Sequence, residues 1–348
     1  MSNPFYYGGC VDPDQFIGRH AELRQIFAGL EVAHTGQMQS FSVVGPRRIG
    51  KSSLLYYVAN KYAQYLAQAT NYRFAYVELQ DARCKTLDGL LRTILESLKA
   101  PPTSDALTLV KFQSEIFKLK AAGVSSIICL DEFEELAYST DEFNRDMYDS
   151  WRYLMSENAI AFITTSKVPL IELVETHGYT SPFFNVFTYL ELGELTDDEA
   201  RELIARGAEC DRPFSPAEQD RALLLAGKHP YKIQLAGSII YQAKTDNREW
   251  DWVMQEFKTQ VKMAGLGQPN LRWAEESKPI TRLTRFRSSS SILAFACYIL
   301  AIALLIINRS STEHQWVVII AAVLVLTGIV LTLISFGVIP INDSERII

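Results

Sequence analysis

Eight consecutive residues, Gly45-Pro46-Arg47-Arg48-Ile49-Gly50-Lys51-Ser52, place a glycine-rich turn directly before a lysine and a hydroxyl. That spacing suits a triphosphate. Successive backbone N–H groups, with Ser53 beginning the following helix, face the phosphates, Lys51 reaches the β and γ oxygens, and Ser52 ligates Mg2+. Farther along, Ser126 to Glu135 reads SIICLDEFEE, an apolar run that ends on acids. Asp131 is placed to hold the Mg2+ through water and Glu132 to polarise an attacking water. Glu134 and Glu135 read as the solvated start of a helix. The segment AFITTSKVP ends a third apolar run on polar groups, and Thr165 and Lys167 are candidates for sensing the γ-phosphate. The plain alternative for each singly is a strand end capped by hydroxyls.

Such groups need a scaffold that presents them along one edge. Short apolar runs predict strands over Ser40–Val44, Arg73–Leu79, Ser126–Leu130, Ala159–Thr165 and Val186–Leu192. In Ile127, Ile128, Cys129 and Leu130 the apolar residues do not alternate with polar ones, as expected for a parallel strand covered on both faces. Helical patterns begin at His20 and Lys51 and cover Leu87–Leu98, Leu107–Ala121 and Phe143–Met155. Five strands with intervening helices predict a three-layer α/β sandwich around a five-stranded parallel sheet, the architecture of a P-loop NTPase. Strand signals stop after Leu195. Thr196 reads as the N-cap of a helix with acids in its first turn, and further helices are expected at Pro216–Leu225, Tyr231–Ala243 and Trp250–Lys262. The expected boundaries are therefore a core over 1–195, a small helical domain over 196–266 and a linker over 267–287.

The last quarter holds two uncharged apolar runs, 288–307 and 317–339, each long enough to cross about 30 Å of hydrocarbon as a helix. The short connection between them predicts an antiparallel hairpin. Lys278, Arg282, Arg285 and Arg287 precede the first run, which puts the phosphate-binding side and both termini in the cytoplasm by the positive-inside rule. Membrane lipid is thus an expected partner. The net charge is −6, and the region before Lys278 carries more than its share of the acid. That balance leaves no broad electrostatic footprint for nucleic acid, which is not expected as a partner. The five cysteines form no CxxC pair, so neither a zinc site nor a disulfide framework is expected. No cleavable signal sequence is read at the start of the chain.

Taken in order, the segments NPF…GGCVDPDQFIGRHAEL, GPRRIGKSSLL, LDEFEEL, FITTSK, SPFFNVFTYLELGELTDDEA and GKHPYKIQ resemble those of bacterial AAA-like ATPases of the STAND and origin-recognition-like branch. The likeness spans about Asn3 to Ala243. It implies that the nucleotide is ATP, that Phe16, Ile17, Gly18 and Arg19 lie against adenine and ribose, and that the helical domain is a lid over the nucleotide. It also implies a conformational switch working through homo-oligomers. His229 stands at the family's HP position, either as a nucleotide contact or as an ordinary residue before a helix that starts on proline. This sequence departs from its relatives in lacking the lid arginine and in carrying Lys167 where arginine is usual. Arg145 and Arg152 are arginine-finger candidates from position only. No winged helix or repeat array is read after the lid.

The expected function is a membrane-anchored ATP-binding and ATP-hydrolysing switch in signalling or defence. A non-hydrolysing, ATP-gated effector whose hairpin oligomerises or permeabilises the membrane is the second reading. A membrane-attached, DNA-associated ATPase is the third.

Overall fold

The computed structural model describes residues 3–31, 37–102, 106–176 and 182–266, all within one compact unit, Met1–Gly267. The expected linker after 267 and both apolar runs lie outside the described residues. Among the described residues no helix is long and apolar enough to cross a membrane.

The strands are β1 (Ser40–Val44), β2 (Tyr72–Glu78), β3 (Ser125–Asp131), β4 (Ile160–Ser166) and β5 (Phe187–Glu191). All pair in parallel, in the order β2-β3-β4-β1-β5. The helix α1 (His20–Glu31) precedes them, and between them lie α2 (Lys51–Lys61), α3 (Leu87–Ser97), α4 (Leu109–Ala121), α5 (Glu134–Tyr138), α6 (Arg145–Ser156) and α7 (Leu170–Thr176). The expected five-stranded parallel sheet is present, with ends within two residues of those read from sequence. Short α5 was signalled only by the acids Glu134 and Glu135 at its start, and α7, shorter than two helical turns, had no sequence signal of its own.

The uninterrupted apolar strands are explained by two cores, one on each face. In β3, Ile128 and Leu130 join a cluster with Leu90, Phe112 and Trp151, while Ile127 and Cys129 join one with Ile26, Leu54 and Val58. In β4, Phe162 and Ile163 divide the same way. Alternate side chains thus enter opposite layers, and both faces of Ile127–Leu130 are taken up by apolar packing. Parallel pairing also brings every strand's carboxyl end to one edge, where β1, β3 and β4 deliver the functional groups.

The helical domain consists of α8 (Asp197–Ala205), α9 (Pro216–Ala226), α10 (Pro230–Asp246) and α11 (Trp250–Met263). Thr196 caps α8 as expected, reciprocally with Glu199, and Ser215 and Glu218 repeat that capping box on α9. The third hydrophobic cluster belongs to these helices and includes one residue from the far end of the chain. Phe5 is buried among Leu203, Phe214, Ala236 and Ile240, stacked 5.5 Å from the Phe214 ring. Gly237 makes that seat possible, because a Cβ there would meet the Phe5 ring at 2.6 Å. The N-terminal strap therefore packs into the helical domain before crossing to α1. Tyr6 N–H donates to Gln234 Oε1 (3.1 Å), Val11 N–H to Ser53 Oγ (3.1 Å) and Arg206 Nη1 to the Gln15 carbonyl (3.1 Å).

Candidate nucleotide site

A cleft of about 470 Å³ lies between the edge of the sheet, the strap and the helical domain. Its floor is Arg47 to Ser53, the end of the loop after β1 and the first turn of α2. Gly50 has φ +100°, a left-handed backbone that lets the loop turn into the helix at little cost. The first intrahelical bond of α2 runs from Leu54 N–H to the Gly50 carbonyl at 2.9 Å. Lys51, Ser52 and Ser53 therefore have no acceptor within the helix for their N–H groups. No side chain caps α2, nor α5, α10 or α11, whereas Thr86, Thr108, Asn144, Thr196 and Ser215 cap α3, α4, α6, α8 and α9. An uncapped N-terminus opening into a cleft is suited to an anion.

Lys51 is buried and folds back over the loop, donating to the carbonyls of Gly45 (2.8 Å) and Pro46 (3.1 Å). Burial pulls its ammonium below the ordinary lysine value, while Glu132, Glu134 and Asp131 act in the opposite direction. Gly45 also ties β1 to the tip of β4, its N–H donating to the Ser166 carbonyl at 3.3 Å.

Asp131 ends β3 and is 3 % exposed. Its Oδ1 accepts a short hydrogen bond from the Thr165 hydroxyl, and its Oδ2 accepts from Tyr76 OH at 3.1 Å. Burial, with Asp131 second, pushes the Tyr76 phenol well above its usual range and keeps it a donor. The carboxylate is thus aimed by groups from β2 and β4. Thr165 is fully buried and is not among the cleft-lining residues; its hydroxyl is committed to Asp131 and also accepts Glu132 N–H at 3.1 Å.

Glu132 lines the cleft in a left-handed conformation, φ +56°, which turns its side chain away from the line of β3. Its Oε2 lies 3.1 Å from Lys167 Nζ, at the end of β4. The two thus reach the cleft together because β3 and β4 are neighbours in the sheet. Glu134 departs from the expected solvated helix start. It is 2 % exposed, its Oε1 accepts Lys167 N–H at 2.5 Å and lies 3.8 Å from Lys167 Nζ. The contacts with Lys167 draw Glu134 inward. Glu135 stays at the surface, paired with Lys85 at 2.7 Å.

The donor set fits Mg2+ bound to a phosphate chain: one hydroxyl, Ser52, and one oriented carboxylate, Asp131. Among the described residues no group of three or more His, Cys, Asp or Glu forms an all-protein metal site.

The FIGR segment divides. Phe16 and Ile17 line the cleft, Phe16 stacked 4.5 Å from Tyr57. Gly18 turns behind it against Glu199. Arg19 lines the cleft, but its Nη2 donates to the carbonyls of Ile49 (2.9 Å) and Gly193 (2.7 Å) and its Nη1 to Glu22 Oε1 (3.3 Å). It clamps the phosphate loop to the loop after β5. His229 is buried just outside the lining residues, its Nδ1 without a partner, while its neighbours Pro230 and Tyr231 face the cleft. Burial, with repulsion from Lys232, lowers its pKa to about 4, so the ring is neutral near pH 7. Arg145 and Arg152 lie on α6 away from the cleft lining, Arg145 3.2 Å from Asp149.

Sequence reasoning missed Tyr76, Tyr57, Gln80, Tyr231 and Gln234. Tyr76 had one available signal, an aromatic hydroxyl two positions before the end of a strand beside β3.

Solved structures share this fold. A Walker-type ATPase of Pyrococcus abyssi superposes with a TM-score of 0.57 at 16 % identity, covering 98 % of this chain and 95 % of the other. The ORC2 protein of Aeropyrum pernix, solved as ADPNP-ADP complexes, gives 0.55 at 14 % identity, covering 74 % and 72 %. The ORC1 protein of the same organism, solved in complex with DNA, gives 0.50 at 14 % identity, covering 82 % and 72 %. No curated protein matches the sequence significantly. The sequence profile of Novel STAND NTPase 2 matches residues 31–269, which takes in the phosphate loop, Asp131, Glu132, Lys167 and all of the helical domain; this chain belongs to that family.

Proposed function

We propose that the chain binds Mg2+–ATP in this cleft and hydrolyses it, using the nucleotide state to reposition the helical domain. The observation that carries the reading is the convergence of three strand ends on one cleft: the start of α2 with Lys51 after β1, and Glu132 beside Lys167 after β3 and β4, with Asp131 buried next to Glu132 in the chain rather than lining the cleft. Lys51 and the α2 N–H groups would hold the phosphates, with Ser52 and Asp131 holding Mg2+, which supplies charge neutralisation on the phosphate oxygens. Glu132 orients a water for in-line attack on the γ-phosphorus and takes up its proton as the bond to the leaving oxygen breaks. Lys167 offers positive charge beside that reaction. The helical domain and the strap close the far end, where Phe16, Ile17 and Tyr7 give an aromatic and apolar wall suited to a base.

The sequence supports a membrane-anchored version of this switch. Its uncharged runs over 288–307 and 317–339 and the preceding basic cluster match a cytoplasmic ATPase on a lipid-inserted hairpin. Signalling or defence through homo-oligomers is the cellular role that fits a tethered switch. The DNA in the ORC1 complex belongs to that protein; the acidic region before Lys278 gives a DNA partner little support here.

The test is phosphate release by the purified full chain, with ATP binding measured in parallel. Glu132→Gln should keep binding and lower turnover by about a hundredfold or more, the scale of losing a positioned general base. Unchanged phosphate release in that variant would remove Glu132 from the mechanism. Binding without turnover in the wild type would favour the non-hydrolysing effector, which a liposome leakage assay with ATP would then examine.

A further inference from the structure

Arg48 occupies a position in the phosphate loop where glycine would be the inexpensive residue. Its φ is +64°, in the left-handed region that L side chains rarely adopt. A bulky side chain at such a position points to a use for the side chain. The guanidinium reaches across the cleft, its carbon 4.5 Å from the centroid of the Tyr231 ring on the first turn of α10. Tyr231 in turn meets the ring of Tyr7 edge-on, 5.8 Å away with the planes at 88°. The three side chains join the phosphate loop, the helical domain and the strap at the mouth of the cleft. Leu203, Pro230, Tyr231 and Gln234, the α8 and α10 side chains that line it, include no cation. The cation of the contact comes from the loop instead.

We propose that Arg48 is a docking residue for the helical domain: its stacking on Tyr231 holds that domain against the phosphate loop and sets how fast bound nucleotide leaves. The proposal rests on the ATP-binding reading above. Two features favour this role over a direct grip on the phosphates. The guanidinium is engaged with an aromatic face, a geometry that arginine satisfies better than lysine. Phosphate binding already has its own equipment in Lys51 and the uncapped start of α2. The Tyr231 ring acts as a platform, so its hydroxyl is dispensable.

The experiment measures dissociation of a fluorescent methylanthraniloyl-ATP from the full chain by stopped flow. Wild type is compared with Arg48→Gly, Arg48→Lys, Tyr231→Phe, Tyr231→Leu and the double variant Arg48→Gly/Tyr231→Leu. Arg48→Gly and Tyr231→Leu should each speed release by about threefold to tenfold, the scale of one cation–π contact. The double variant should release no faster than either single one. Tyr231→Phe should stay within about twofold of wild type, and Arg48→Lys should fall between wild type and Arg48→Gly. Glycine suits the backbone at position 48, so the unfolding temperature of Arg48→Gly should not fall, and faster release cannot then be assigned to misfolding. Faster release in Arg48→Gly with none in Tyr231→Leu, or strictly additive effects, would overturn the proposal, because the arginine would then act on the nucleotide itself. Wild-type release in Arg48→Gly would overturn it too. A wild-type chain that binds no nucleotide would instead bring down the ATP reading, and this inference with it.

Discussion

Thr165→Val removes one oxygen from a buried place where two functional residues depend on it. The Thr165 hydroxyl donates to Asp131 Oδ1 and accepts from Glu132 N–H at 3.1 Å. Valine keeps the shape and the β4 backbone, including the carbonyl that receives Phe133 N–H at 2.9 Å. Asp131 Oδ1 is then left with only Glu132 N–H, at 3.2 Å. Losing one charge-assisted and one neutral hydrogen bond in a buried setting costs about 3 kcal/mol. For a unit of this size that corresponds to a fall of about 6 to 12 °C in unfolding temperature. Thr165→Ser keeps the hydroxyl and should lose less than half as much. Thermal unfolding of the three full chains, followed by circular dichroism, reads the difference. Equal unfolding temperatures for the valine, serine and threonine forms would refute the idea that Thr165 holds Asp131 and Glu132 in place.

Other expectations concern the groups around that centre. His229 titrates at about 4 in the folded chain against 6.5 unfolded, so below pH 6.5 the unfolded chain binds the extra proton. Its contribution is therefore intact above pH 6.5, falls as pH drops towards 4, and totals about 3 kcal/mol across that window; denaturant unfolding of His229→Gln against pH should show a shallower slope there, and an unchanged slope would reject the assignment. Glu134→Ala should lower kcat by roughly tenfold, the scale of one charge-assisted hydrogen bond, with little change in KM, because it frees the main chain of Lys167; Glu134→Gln, which can still accept that N–H, should recover much of the loss, and equal rates for the two would refute the role. Gly237→Ala should push Phe5 from its seat and speed proteolysis of the strap, visible as earlier cleavage before His20 in a timed digest, whereas an unchanged digest would contradict the close fit.

The sheet was legible because its strands are buried on both faces. Runs such as Ile127–Leu130 have no polar position to confuse the reading, and the observed division of their side chains between two cores supplies the reason. Thr196 announced α8 because a capping box is local. The phosphate loop was legible for the same reason, since its geometry is written within eight residues of sequence. What stayed hidden depends on partners distant along the chain. Phe5 is apolar and near the N-terminus, and only Gly237, opposite it in the fold, shows why it is buried. Glu134 looked solvated because acids at a helix start usually are, whereas Lys167 draws this one inward from another strand. Arg19 carries the charge expected beside a nucleotide, yet the carbonyls of Ile49 and Gly193 take its Nη2, a use that no local pattern reveals. Lys167 and Glu132 could be named as separate candidates, but their 3.1 Å approach follows from β3 and β4 being neighbours in the sheet.

The central claim is that the uncapped start of α2 and Lys51 hold a nucleoside triphosphate. Equilibrium titration of the full chain with ATP and Mg2+ in a calorimeter, beside Lys51→Ala, tests it most directly. The account predicts saturable binding by the wild type and a loss of at least about a hundredfold in affinity for Lys51→Ala, the scale of losing a buried charge-assisted contact to phosphate. No saturable binding by the wild type, or equal affinity in the two proteins, would contradict it.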